Sequence, residues 1–382
     1  MLRGDPLVLI VDDNAPNRQL LRALISSLGV ERIDEAEDGI QGLEAMQRRR
    51  PDLVLLDVMM PRMDGYEMCR RLREIWPRTE LPVIFVTALD SPTERSACFA
   101  AGATDMVSKP INAAEVAARV GVHLENRALL ADLQAYQDRI GHELEAARQV
   151  QMALLPTRAR TLALGQRLDM VIDGTIHTSS ELGGDFWTVL DLGYGRAGVL
   201  VVDFAGHGVP AALQVFQLNA LLSRLGPEQT EDPLAMMAAL NAELAAVLSP
   251  GQYATAFYGV VNIATSMLRY VAAASPDPLL IDRGVARPLD ASGPLLGAFE
   301  DAQYDLIEIP FPAGAALLLY SDALVEAQAD GKPVVEEAEL REWAVTAHAK
   351  RADIASAVLD RFQRRLVGAP PDDLTLVSLR RM

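Results

Sequence analysis

The sequence predicts an α/β chain of two domains in tandem. A doubly wound parallel sheet should fill about residues 5–124, a helical linker residues 125–155, and a β-rich domain flanked by helices residues 156–382. Three observations carry this prediction. Short apolar runs alternate with longer amphipathic stretches in the first third, the middle lacks turn pairs and strand alternation, and strand-like runs dominate after Pro156.

In the first third, Leu7-Val8-Leu9-Ile10-Val11, Leu53-Val54-Leu55-Leu56 and Val83-Ile84-Phe85-Val86 are separated by stretches such as Asn17 to Leu28 and Gly39 to Gln47. Continuous apolar runs joined by amphipathic crossovers are the pattern of parallel strands buried on both faces. Ligands of such sheets collect at the carboxyl ends of the strands. Those ends carry Asp12-Asp13, Asp57, Thr87 and Lys109.

From Asn112 to Leu155 the chain reads as one long helix, ended by Pro156. Leu133, Ile140, Ala147 and Leu154 recur every seven residues, with Leu130 and Leu144 on a neighbouring row, while Gln137 and Gln151 interrupt the seam. Heptad spacing predicts a coiled coil that pairs two copies of the chain; an amphipathic helix packed on its own domains is the alternative. Beyond Pro156, strands are expected over Leu168 to Ile176, Phe186 to Leu192, Val199 to Phe204, Ala254 to Val261, Met267 to Ala272, Ala315 to Tyr320 and Leu374 to Leu379. Helices are expected over Ala211 to Leu225, Pro233 to Leu248, Glu336 to Ala347 and Arg351 to Leu366.

Composition excludes several functions. With 35 Lys+Arg against 52 Asp+Glu, the net charge of -17 repels nucleic-acid phosphate, which argues against a DNA-binding protein. Cys69 and Cys98 are the only cysteines, too few for a disulfide scaffold or a thiolate metal cage. No apolar run approaches the roughly 20 residues of a membrane span, and no leader is apparent, so a soluble cytoplasmic protein is expected.

Asp12, Asp13 and Asp57 in one crevice would repel each other without a cation. Hard carboxylate ligands suit Mg²⁺, which also neutralises an incoming phosphoryl group. Lys109 adds a second positive charge, and Lys109-Pro110 is expected to be a cis turn that aims the amine inward. With Thr87 placed to bond a phosphate oxygen, Asp57 has the setting of a nucleophile that forms an acyl phosphate. Val11-Asp12-Asp13, Asp57 with Met60-Pro61-x-Met63-Asp64-Gly65, Thr87-Ala88 and Lys109-Pro110 together resemble the signature of response-regulator receiver domains. The resemblance implies a five-stranded parallel sheet, Asp57 as phosphoacceptor, Asp12, Asp13 and Asp57 as the Mg²⁺ site, Lys109 on the phosphate and Thr87 as the switch hydroxyl. It also implies a histidine kinase or phosphotransfer protein as partner. Met106 stands near the place where that family usually has a rotating aromatic.

The second half again sets acids beside apolar strands: Asp185 after Gly183-Gly184, Asp203 after Val199 to Val202, Asp322 after Leu317 to Ser321, and Asp372-Asp373 before Leu374. Four acids near strand ends suit two hard divalent ions, which activate water and clamp a phosphoryl group. Without a histidine- or cysteine-rich set, Mg²⁺ or Mn²⁺ is favoured over Zn²⁺. Gly206 and Gly208 allow a sharp bend after Asp203; His207 between them is either a general acid or a structural hydrogen-bonder.

Glu181 to Trp187, Asp203 to Ala212, Tyr320-Ser321-Asp322 and Asp372-Asp373-Leu374-Thr375 resemble the sporulation- and stress-regulator branch of the PP2C-type phosphatases. That resemblance implies a β-sandwich flanked by helices, with Asp203, the backbone carbonyl of Phe204, Asp322 and Asp372 as metal ligands and Asp185 a ligand or supporting acid. Asp373, Gly206, His207 and Gly208 would support the site. The implied substrate is a phosphoserine or phosphothreonine protein such as an anti-sigma-factor antagonist. Two departures stand out: Ala323 follows Asp322 where glycine is usual, and Ala274-Ser275-Pro276 replaces a common Ala-Gly-His. The expected function is a phosphatase controlled through Asp57; a silent phosphatase-like adaptor that holds a sigma factor or other partner is the alternative.

Overall fold

The apolar runs of the first third become the central strands of a parallel sheet. The computed structural model describes residues 5–88, 91–329, 331–366, 368 and 370–382, and the chain divides between Ile140 and Gly141 into two compact units. In chain order the first unit contains β1 (Leu7–Val11), α1 (Ala15–Ser27), β2 (Arg32–Ala36), α2 (Gly39–Arg48), β3 (Leu53–Asp57), α3 (Gly65–Arg73), β4 (Val83–Thr87), α4 (Pro92–Ala100), β5 (Asp105–Ser108) and the start of α5 (Ala113–Met152). The sheet order is β2-β1-β3-β4-β5, all neighbours parallel. Strands β1, β3 and β4 are buried at every position, with one apolar cluster on each face of the sheet.

Helix starts follow the local sequence. Asn14, Asp38 and Asp64 cap α1, α2 and α3 through their side chains, and Ser91 with Glu94 forms a reciprocal cap on α4. Asp64 thus earns its place by capping rather than chemistry. Gly65 is forced by space: a Cβ there would lie 2.2 Å from the Asp57 carbonyl oxygen and 2.9 Å from the Phe85 ring. Strands β2 and β5 were not read from the sequence, because Arg32–Ala36 and Asp105–Ser108 mix charged with apolar residues at the sheet edges.

Helix α5 is 40 residues long. Val116, Val120 and Leu124 bury it in the first unit's core, whereas Leu129, Leu130, Leu133 and Tyr136 are exposed. Of the heptad positions further on, Ile140, Leu144 and Ala147 are half-buried. Among the described residues no helix is long and apolar enough to cross a membrane.

The second unit is a sandwich. It runs α6 (Arg158–Leu168), β6 (Met170–His177), β7 (Asp185–Gly193), β8 (Arg196–Phe204), α7 (Val209–Leu222), α8 (Pro227–Thr230), α9 (Pro233–Val247), β9 (Ala254–Asn262), β10 (Met267–Ala273), β11 (Leu279–Asp282), β12 (Val285–Pro288), β13 (Ile307–Pro310), β14 (Ala316–Tyr320), α10 (Ala323–Glu326), β15 (Gln328–Ala329), β16 (Lys332–Pro333), α11 (Glu337–Ala349), α12 (Ile354–Arg365) and β17 (Leu374–Arg381). Its two large sheets have the orders β13-β10-β9-β8-β7 and β12-β11-β14-β17-β6. Inward residues of both, such as Trp187, Val199, Phe257, Leu317 and Val377, form one cluster between the sheets. A second cluster packs α7 and α9 on one sheet, and a third packs α11 and α12 on the other. Each fully buried Leu, Val or Phe contributes about 1.5–3 kcal/mol.

One expected strand start is corrected here. Leu168 ends α6 instead of opening a strand, since Thr157 caps a helix over Arg158–Leu168 and Asp169 closes it in the left-handed conformation at φ 51. Ala323 opens α10 behind Asp322, itself at φ -61, so alanine meets no left-handed strain at that position.

Replacing Gly65 with alanine should destabilise the first unit by about 1–3 kcal/mol, because its Cβ meets backbone rather than a movable side chain. A lower urea midpoint with unchanged slope would register it; an unchanged midpoint would mean that the Asp57 loop gives way.

Candidate functional sites

In the first unit the carboxyl ends of β1 and β3 bring three acids together. Asp12, Asp13 and Asp57 can each offer an oxygen within 4.8 Å of the others. Asp12 and Asp57 are buried, and Asp13 is exposed at the rim. Lys109 reaches the first two, its Nζ lying 3.1 Å from Asp12 Oδ2 and 2.9 Å from Asp57 Oδ2. The Lys109-Pro110 bond is cis, as the sequence suggested.

The backbone N–H of Val58 donates to Asp57 Oδ1 at 2.8 Å, and that of Asn14 to Asp12 Oδ1 at 2.8 Å. Burial pushes the Asp57 carboxyl above its ordinary range, against the pull of Lys109. Burial opposes the Lys109 charge, yet its bonds to Asp57 and Asp12 hold the ammonium above its usual value. A buried carboxylate pair with one exposed acid beside it and a cation at its edge has the hard oxygen donors that Mg²⁺ requires. Thr87 ends β4 and is buried, and Met106 pairs in register with Phe85 on the neighbouring strand.

The second unit gathers its acids at one end of the sandwich. Asp185 opens β7 directly opposite Asp203 on β8. Asp322 follows β14, and Asp372 and Asp373 precede β17, its neighbour in the other sheet. Burial, then the charge of Asp203, raises Asp185 well above the carboxylate range. Burial, followed by the charge of Asp322, pushes Asp203 up to about 7. Burial and the charges of Glu326 and Asp372 raise Asp322 as well. Carboxyls raised in this way hold protons that a cation would replace, and Asp185 Oδ1 is a buried oxygen without a hydrogen-bond partner. Oxygen donors of this kind fit hard divalent cations.

The remaining predicted residues divide by role. The Phe204 carbonyl oxygen lies 2.8 Å from where a Cβ on Gly184 would stand, so only glycine allows that approach. Gly206 and Gly208 have φ 97 and 77, the bend that starts α7 beside Asp203. His207 is exposed and has no hydrogen-bond partner among the described residues. Asp373 is a scaffold acid: it accepts from the backbone of Ser179 at 2.7 Å and of Gly184 at 2.6 Å. Trp187 is buried between the sheets.

Three supporting residues were given no role in the sequence reading. Gln151, which interrupts the heptad seam, is buried. It donates to the Gly183 carbonyl at 2.7 Å and accepts from its N–H at 3.3 Å. Ser321 and Thr375 bond the acid loops from within, and their only sequence signal was adjacency to Asp322 and Asp373.

Residues 8–121 match the family described as response regulator receiver domain, and residues 193–382 match that described as Stage II sporulation protein E (SpoIIE). The response regulator MprA of Mycobacterium sp. (strain KMS) is 43% identical over 113 residues, 30% of this chain and 48% of that protein. The chain thus spans about half the length of the curated relatives it matches. The solved SiaA-PP2C domain of Pseudomonas aeruginosa superimposes with a TM-score of 0.56 at 22% identity, over 64% of this chain and 98% of that one, a likeness of fold.

The raised carboxyls set a pH dependence. A folded-state Asp203 near 7 keeps a proton that the unfolded chain releases at about 4, so this group's contribution to stability falls as pH rises between the two values. Metal-free protein should therefore melt at a lower temperature at pH 8 than at pH 5.5. Asp203→Asn or millimolar Mn²⁺ should flatten that slope. Thermal melts in EDTA with and without added metal check both; equal slopes in all three would refute the assignment.

Proposed function

We propose that this chain, a receiver domain joined to a PP2C-type SpoIIE domain, is a response regulator in which phosphorylation of Asp57 controls metal-dependent hydrolysis of a phosphoserine or phosphothreonine protein. The observation that carries the reading is that Asp12, Asp13 and Asp57 come within 4.8 Å of one another while, in the same chain, burial and the charges of Asp322, Asp372 and Asp373 raise Asp203. The working domains are residues 5–124, a helical linker over 125–155, and residues 156–382.

In the receiver, an Asp57 carboxylate oxygen attacks the phosphorus of a histidine kinase or phosphotransfer protein, and the bond from phosphorus to the donor breaks. Lys109, already bonded to Asp57, then neutralises a phosphoryl oxygen, and the Thr87 hydroxyl accommodates another. Asp12 and Asp13 would hold Mg²⁺ beside them. In the second domain Asp203, the Phe204 carbonyl, Asp322 and Asp372 would hold two Mn²⁺ or Mg²⁺, with Asp185 as a ligand or support. The chemistry such ions supply is activation of water and neutralisation of phosphoryl charge. These residues orient the phosphoester by fixing the cations at the open end of the sandwich, while Gly206 and Gly208 keep the backbone low enough for a protein substrate to approach.

The substrate class we favour is a phosphorylated regulator such as an anti-sigma-factor antagonist, met in the cytoplasm. Control would pass through α5, whose Gln151 grips Gly183, next to Gly184 and Asp185. Pairing of two copies along the exposed Leu130 and Leu133 is part of this reading. A second reading is favoured by Ala274-Ser275-Pro276, where Ala274 stands at φ 50 and the Ser275 hydroxyl is buried without a partner. It is a catalytically silent adaptor that binds a sigma factor or other partner under receiver control.

Mn²⁺-dependent hydrolysis of an aryl phosphate distinguishes them. Asp203→Ala and Asp322→Ala should each lower turnover on the order of 100-fold. A small phosphodonor should change the wild-type rate, and Asp57→Asn should abolish that change while keeping the basal rate. Absence of turnover on aryl phosphate and on a phosphoprotein alike would favour the adaptor.

A further inference from the structure

The two oxygens of Asp185 have different surroundings. Oδ2 accepts the hydroxyl of Thr375, while Oδ1 is buried without a hydrogen-bond partner. A carboxylate oxygen left in that state is costly unless something with positive charge meets it. A serine or threonine hydroxyl has one proton to give. That of Thr375 is committed to Oδ2, so Oδ1 is the oxygen left for a cation.

Thr375 is itself fully buried and clamped to Ser321. Its N–H donates to Ser321 Oγ at 2.9 Å, and the Ser321 N–H donates to the Thr375 carbonyl at 3.0 Å. The Ser321 hydroxyl spends its proton on the Asp373 carbonyl at 2.9 Å, and Asp373 N–H donates to Asp372 Oδ1 at 2.8 Å. Ser321 precedes Asp322, so this chain of bonds ties the segments that carry Asp185, Asp322 and Asp372. Asp203 is held opposite Asp185 by strand register.

We infer that Ser321 and Thr375 are positioning residues that preset the carboxylate corner for a divalent cation, Thr375 by selecting Oδ1 of Asp185 and Ser321 by locking the Asp322 and Asp372 segments together. The inference rests on the reading of these acids as cation ligands. It assigns two hydroxyls a task in metal affinity, not in contact with substrate.

Calorimetric titration of Mn²⁺ into the full chain tests it, with the receiver acids removed by Asp13→Asn and Asp57→Asn throughout, on the otherwise wild-type chain and on its Asp203→Ala, Thr375→Val, Thr375→Ser and Ser321→Ala variants. Wild type should bind, and Asp203→Ala should lose most of that binding. Thr375→Val and Ser321→Ala should weaken binding about 10- to 100-fold, the usual cost of removing an outer partner of a metal ligand, and Thr375→Ser should stay close to wild type. Circular dichroism confirms that each variant is folded; if Thr375→Val is not, Ser321→Ala decides. Wild-type affinity in folded Thr375→Val and Ser321→Ala would overturn the positioning role while leaving the acids as ligands. No Mn²⁺ binding by wild type, or binding untouched by Asp203→Ala, would overturn both.

Discussion

Carboxylates crowded at buried strand ends repel one another, and much of the local architecture of both units serves to hold them there. In water, charges at 4 Å interact by about 1 kcal/mol, but the effect grows severalfold where solvent is excluded. Asp203 is pushed up to about 7 by burial and its acidic neighbours, and Asp185 and Asp322 move in the same direction. Such a corner persists only because strand register and backbone donors prevent the acids from turning away. Asp185 and Asp203 face each other across β7 and β8, and Asp373 is pinned by the amides of Ser179 and Gly184.

The two units answer the same repulsion differently. In the receiver, Lys109 supplies a resident positive charge between Asp12 and Asp57, so the triad is tight even without a cation. A lysine is suited to this, because its single charged head serves a carboxylate now and a phosphoryl group later. In the second unit the causes that raise Asp203 are burial and the charges of three other acids, Asp322, Asp372 and Asp373, with no basic side chain among them. Its charge can be balanced only by protons or by ions from solution. The first arrangement suits transient phosphorylation of one carboxylate; the second suits lasting occupation by divalent cations.

Much of this was legible in the sequence because the signals are strong where burial is complete. β1, β3 and β4 are apolar at nearly every position, and the acids follow those runs directly. In the second unit the acids likewise sit at the ends of such runs: Asp203 near the end of β8, Asp322 just after β14 and Asp372 just before β17. Short or charged strands were not legible, although the longer edge strands β6 and β7 were. β2 and β5 carry charge because one side of each lacks a strand partner, and β11, β12 and β13 are four residues each, too short for periodicity to declare itself. Gln151, Ser321 and Thr375 were invisible for another reason. A polar residue in an apolar context reads as an interruption until its partner is known, and here the partners lie 32, 52 and 190 residues away in sequence.

The departures from the family pattern gain a physical meaning from the same constraint. Ala323 in place of glycine costs nothing, because Asp322 and the residue after it are already helical and α10 begins there. The exchange at Ala274-Ser275-Pro276 is different in kind, since Ala274 adopts φ 50 and Ser275 leaves a hydroxyl buried and unpartnered beside the pocket that Asp203, Thr255 and Ser321 also line. That pocket holds only about 10 Å³, close to the space of one water. The exchanged loop therefore lines a recess of about that size beside Asp203. The altered loop falls outside the hydrogen bonds that join the segments of Asp185, Asp322 and Asp372, so those segments keep their mutual placement whatever that loop carries.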